Sequence, residues 1–335
     1  MPERQIQEYL FQRIKEMLPA GASLVEVIAE KLHVSQDSAY RRIRGETLIV
    51  LEEAKILCQE YNISLDQLLS LDKKSVVFDN IVLGATTLNF TSYLTGILHE
   101  LNELDAHQQK SITYITNDLP FFYQFFYQPL FAFRYFFWMK TIVQDPAFSQ
   151  QKFSLDCLPP ATEALGKKVL EVYSRIPSTE IWNTESINGT LSQIAYYLEA
   201  GVMVKDDAVK VWEALRKTIE HLQLQAEWGC KFLPGENHQT KKENFRLFHN
   251  RVGLGDNTIL TTKDESKKLY LNYDALSYMT TTDEAFCNVV HQQLQTIMRR
   301  STLISVVSEK QRNMFFNVHY SKFPVFDSTK VKLVL

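Results

Sequence analysis

Ser35, Gln36, Asp37, Ser38, Tyr40, Arg41, Arg42 and Arg44 crowd into one short stretch of a 335-residue chain. Their types suit one chemistry, the reading of base edges in a DNA groove. Gln pairs bidentately with adenine, Arg forks onto guanine, and Ser bonds either. The spacing predicts a helix in which Ala39 and Ile43, at i and i+4, form the inward face. Gln36, Asp37, Tyr40, Arg41 and Arg44 then project outward.

Other chemistries lack their constellations. The eight histidines show neither HxH nor HExxH spacing, and His99-Glu100 followed by Glu103 lacks the second His of a zincin. Gly253-Leu254-Gly255 is too short to cradle phosphate, and no GxSxG elbow occurs. The expectation is a protein that is not an enzyme and takes no metal and no cofactor.

The elements that must position the polar face are legible nearby. Leu24, Ile28 and Leu32 recur at helical spacing, and Ala29 is small where two helices cross. Ser23, with Glu26 three residues on, predicts a capped start, and Ser35 caps the next helix. Gly45 stands where a helix stops. Before them, Gln5–Leu18 carries a buried stripe of Ile6, Leu10, Ile14 and Met17.

The stretch Ser23–Gly45 resembles the helix-turn-helix of the lambda-repressor-like (Xre-type) regulators, on Ala29, Leu32, Val34-Ser35, Ser38, Arg41 and Arg44-Gly45. Leu51–Tyr61 is similar to that family's fourth helix and Asn62–Leu69 to its fifth, so the resemblance covers about the first fifth of the chain. Two positions depart from the pattern. His33 stands where the family usually has Gly, and Arg42 where an apolar residue is common, with Ile43 taking over the packing role. The resemblance implies a sequence-specific DNA-binding transcriptional regulator. Gln36, Ser38 and Arg41 would read bases, with phosphate contacts from Arg42 or Lys31. A homodimer would match short half-sites on double-stranded DNA.

Charge narrows this reading. The whole chain is at −3, and residues 1–75 hold 10 Lys and Arg against 12 Asp and Glu. Tight non-specific binding, which neutralises many phosphates, is therefore not expected. A focused patch at Arg41, Arg42 and Arg44, with Lys31 nearby, suits a defined site. Cys58, Cys157, Cys230 and Cys287 form no CxxC pair and read as free thiols of a reducing cytoplasm. No N-terminal signal is visible, because the first helix begins at once with charged residues.

The chain divides into 1–75, 76–233 and 234–335. The expected fold is mostly α: a five-helix N-terminal domain, then a larger helical domain with a small antiparallel sheet near the C-terminus. Residues 76–82 read as extended. Leu94, Leu98 and Leu101 form a heptad-like row that suits either internal packing or a dimer seam. Leu119–Val143 is long enough for a bilayer, but Gln124, Gln128, Pro129, Arg134 and Lys140 interrupt it, so no membrane span is expected. It reads either as plain core or as an aromatic pocket for a small hydrophobic effector. Phe125, Tyr127, Phe131, Arg134, Tyr135 and Trp138 would line that pocket. The alternating stretches 245–254, 258–262 and 268–273 read as strands, and a capping box at Thr281–Glu284 opens a helix to Arg300. The alternative function is a peptide- or protein-interaction module, with its helical hairpins as the groove and the first domain as a vestigial adaptor.

Overall fold

The structure is a computed structural model. It describes residues 3–332 apart from 20, 62, 66–67, 69–75, 82–88, 238, 240–241, 253–256, 324 and 328–329. The chain separates into two units, Met1–Val77 and Phe78–Leu335.

The first unit holds α1 (Glu3–Met17), α2 (Leu24–Leu32), α3 (Gln36–Ile43) and α4 (Leu51–Glu60). Ser23 accepts the Glu26 N–H at the start of α2, satisfying one of the donors that a helix start leaves without a partner. Leu10, Phe11, Ile14, Ile28, Leu32, Ala39, Leu57 and Cys58 form its core. Of the fifth helix expected over 62–69, residues 62, 66, 67 and 69 lie outside the described residues, and Leu65 and Leu68 are helical.

The second unit corrects the expected fold class. It is a mixed α/β unit built on an eight-stranded sheet, not a helical domain with a small antiparallel sheet near its end. The sheet comprises β1 (Asp79–Ile81), β2 (Lys110–Ile115), β3 (Ser178–Trp182), β4 (Phe245–His249), β5 (Thr258–Lys263), β6 (Ser266–Asn272), β7 (Tyr278–Thr281) and β8 (Thr302–Leu303). Their order is β1-β7-β6-β5-β2-β3-β4-β8. The central trio β2-β3-β4 is parallel, and every other pairing is antiparallel. Parallel neighbours need long crossovers. Here α6 (Gln128–Phe137) and α7 (Pro160–Arg175) lie between β2 and β3, and α8 (Asn188–Glu199) and α9 (Lys205–Trp228) between β3 and β4. Residues 76–233 and 234–335 therefore share one sheet.

Side chains alternate across that sheet. Ile115, Ile181, Phe248, Leu260 and Leu269 pack under α10 (Glu284–Arg299) through Cys287, Val290, Leu294 and Met298. Ile112, Tyr114, Trp182, Phe245 and Leu247 join the larger aromatic core on the other face. That core includes α5 (Phe90–Asp105), with Leu94 and Leu101 buried and Leu98 packed beside them, and α11 (Glu309–Ser321). The leucine row thus serves internal packing. Val325–Asp327 and Lys330–Lys332 form a separate two-stranded ribbon. No described helix is long and apolar enough to cross a membrane.

Candidate nucleic-acid interface

The turn between α2 and α3 is set by one residue in the left-handed region. His33, at φ 52° and ψ 43°, ends α2, and its N–H bonds the Ala29 and Glu30 carbonyls. Glycine takes this conformation without steric cost, and His carries a penalty there. Val34 N–H also bonds the Ala29 carbonyl, at 3.0 Å. Ser35 Oγ accepts the Ser38 N–H at 3.2 Å and donates to Ser38 Oγ at 3.0 Å. The Ser38 hydroxyl thus also takes part in the cap.

α3 buries Ala39 completely and half-buries Ile43, which packs on the first unit's core. Gln36, Asp37, Tyr40, Arg41 and Arg44 are exposed, as is Ser35. Arg44 lies over the Tyr40 ring, 5.5 Å from its centroid, and reaches the Tyr40 hydroxyl at 3.3 Å. A polar face of these residues therefore stands clear of the unit's own core.

The other two basic residues expected near phosphate are engaged within the unit. Arg42 turns back onto Glu53 of α4, Nε to Oε2 at 3.1 Å and Nη2 to Oε1 at 2.9 Å. It also donates to the Ser38 carbonyl. Lys31 pairs with Glu60, and that hydrogen bond raises the lysine's pKa. Sequence reading missed Gln7, a buried side chain of α1. Its amide donates to the carbonyls of Arg42 at 2.7 Å and Thr47 at 2.8 Å, and its oxygen accepts the Ile49 N–H at 2.9 Å. Gln7 thereby fixes where α3 ends. An amide on the apolar side of an amphipathic helix was the available signal.

In the second unit the residues expected to line an effector pocket form part of a ring-packed core. Phe125, Phe131, Tyr135 and Trp138 are buried, and Tyr127 is half-buried beside Phe126. Phe125 meets Phe131 edge-on at 4.6 Å, and Phe121 links Phe125 to Trp138. Pro120 and Pro129 divide the stretch into a 3-10 turn over Phe121–Phe125 and the helix α6, with a π-helical turn at Trp138–Ile142. Arg134 is buried among these rings. Its Nε donates to Gln124 at 2.6 Å, Nη1 reaches Gln193, and Nη2 lies 3.8 Å from Asp118.

A second buried polar group went unread. Glu180 of β3 accepts from the hydroxyls of Tyr123 and Tyr173 and, at 2.9 Å, from Trp182 Nε1. Burial raises its carboxyl pKa against those bonds. Lys231 is buried as well. Its Nζ donates to the Tyr173 carbonyl at 2.7 Å and sits 3.8 Å from that ring's centroid, and burial pushes the ammonium down to about 7. A lone Glu amid Ile181 and Trp182 was the only sequence signal.

Among the described residues no group of His, Cys, Asp or Glu has the arrangement of a metal site. No family model, no curated protein and no solved structure matches the chain.

Proposed function

We propose that this chain is a cytoplasmic, sequence-specific transcriptional regulator. Its first unit reads double-stranded DNA as one half of a homodimer, and its second unit senses an effector. One observation supports the reading above others: α3, fixed against α2 by the His33 turn and buried through Ala39, leaves Gln36, Tyr40, Arg41 and Arg44 exposed together. In such a motif the second helix lies in the major groove and its outward side chains meet base edges. The net charge of the first 75 residues suits recognition of a defined site over coating of DNA.

The test is selection of bound duplexes from a random pool by the purified full chain, with Arg41→Ala alongside. The expected result is an inverted repeat, with Arg41→Ala losing about 1–3 kcal/mol there and relaxing preference at one position. Equal loss on every duplex would reduce Arg41 to a phosphate contact.

A second reading, a protein-interaction module, draws on Leu48, Val50, Leu51 and Ile56, all exposed on the first unit. Absence of any enriched duplex, together with loss of a captured partner on Leu51→Asp, would favour it.

A further inference from the structure

Glu46 lies between two exposed arginines, Arg41 of α3 and Arg44 that caps its end. Its Oε2 is 3.8 Å from Arg41 Nε and its Oε1 3.8 Å from Arg44 Nε, one carboxylate oxygen to each guanidinium. The placement is built into the backbone. Gly45 is buried with φ +69°, a left-handed turn that folds the chain back at the end of α3. Glu46 N–H then bonds the Arg41 carbonyl at 2.9 Å, and Thr47 N–H bonds the same oxygen at 3.3 Å. Gln7 holds this turn from α1 through the carbonyls of Arg42 and Thr47. The backbone that carries Glu46 is therefore held at the end of α3, which places its carboxylate at the edge of the polar face.

Resting on the DNA-reading proposal, we infer that Glu46 is a specificity-determining residue that turns Arg41 and Arg44 away from phosphate and toward base edges. At 3.8 Å the contacts are charge attractions and lie beyond hydrogen-bond length, so the guanidinium N–H groups stay able to reach outward. A phosphate carries full negative charge, so it must compete with Glu46 for both arginines and is repelled by Glu46 as it approaches. A guanine edge offers neutral acceptors, and a neighbouring cytosine N4 amine can donate to the carboxylate. The same acid thus penalises backbone contact and tolerates, or adds to, base contact. Arg42 and Lys31 already pair with Glu53 and Glu60. All four basic residues of the expected patch consequently face a carboxylate of their own unit.

The experiment measures binding of the full-length chain to a mixed-sequence duplex and to the selected site by fluorescence anisotropy across a salt titration. Wild type, Glu46→Gln and Glu52→Gln are compared, the last being the same charge change on α4. Glu46→Gln is expected to tighten mixed-sequence binding several-fold and to steepen the slope of log K against log salt by about 1 to 2, as one or two arginines gain phosphates. The selected site should gain less, so the specificity ratio falls. An unchanged slope in Glu46→Gln, with wild type binding its site, overturns the role of Glu46 alone. An equal change in Glu52→Gln overturns it too, because net charge then explains everything. If wild type binds no duplex at low salt and selection enriches nothing, the DNA-reading proposal falls and this inference with it.

Discussion

Arg42 and Glu53 form a two-pronged ion pair between α3 and α4, at 3.1 and 2.9 Å, with both side chains mostly shielded from water. Glu53 Oε2 also accepts the Val50 N–H at the start of α4. A basic residue at a position where the resembled family often has an apolar one thus braces the helix that would read DNA.

Arg42→Ala should therefore loosen α3 against α4 more than it removes a phosphate contact. The expected cost is about 1.5–3 kcal/mol for losing hydrogen bonds between charged groups. Hydrogen exchange read on peptides of α3 and α4 checks this. Protection equal to wild type, with a reduced salt slope on DNA, would return Arg42 to the phosphate role.

His33 holds a left-handed conformation, at φ 52° and ψ 43°, that costs a residue with a Cβ more than it costs glycine. His33→Gly relieves a cost of about 1–2 kcal/mol and adds about 0.5–1 kcal/mol of unfolded-chain entropy. A net gain of about 0–1.5 kcal/mol is expected from these two. His33→Val should lose stability instead, since a β-branched residue fits this region poorly. Circular dichroism during urea unfolding reads both, and a loss for Gly would contradict the assignment of strain to this residue.

The Lys231 ammonium, lowered by burial to about 7 from 10.5, binds its proton less well folded than unfolded. Between those values the unfolded chain holds more protons, so stability contributed by this residue rises with pH. Full expression of one proton is worth about 1.4 kcal/mol per pH unit. Wild type should accordingly gain on the order of 1–3 kcal/mol relative to Lys231→Met on going from about pH 7 to about 9.5. All four tryptophans lie in the second unit, so their fluorescence during urea unfolding reports the right transition. Parallel pH profiles for the two proteins would show that Lys231 carries no such linkage.

Gly166 of α7 faces the Phe131 ring so closely that an added Cβ would lie 2.5 Å from its nearest carbon, and Phe131 is itself buried. Gly166→Ala should cost about 1–3 kcal/mol as an overpacked core. A thermal midpoint unchanged from wild type would mean that the aromatic layer has room to yield, as an effector pocket would.

Much of the first unit was legible because its determinants are local. Ser23 and Ser35 cap helices within three residues of themselves, and Leu24, Ile28 and Leu32 set a face by spacing alone. The strands β4, β5 and β6 were legible for the same reason, since alternation and short turns are read within a few residues. The centre of the sheet was not. β2 and β3 lack a hairpin partner next to them in sequence, and each becomes a strand through partners far along the chain: Ile112 opposite Ser178, and Ser178 opposite Phe245. Their pattern is also obscured, because β3 places a carboxylate where burial calls for an apolar residue and satisfies it with Tyr123, Tyr173 and Trp182.

The sequence by itself determined the starts of α2, α3 and α4, the α2–α3 turn and which residues of α3 face outward, since each depends on neighbours one or two turns away. Only the tertiary structure decided that Arg42 and Lys31 are spent on Glu53 and Glu60, that Glu46 stands between Arg41 and Arg44, and that the aromatic stretch closes on itself against a parallel-centred sheet. Those outcomes depend on which charges and rings meet after the chain has folded back, and spacing along the chain carries no record of that.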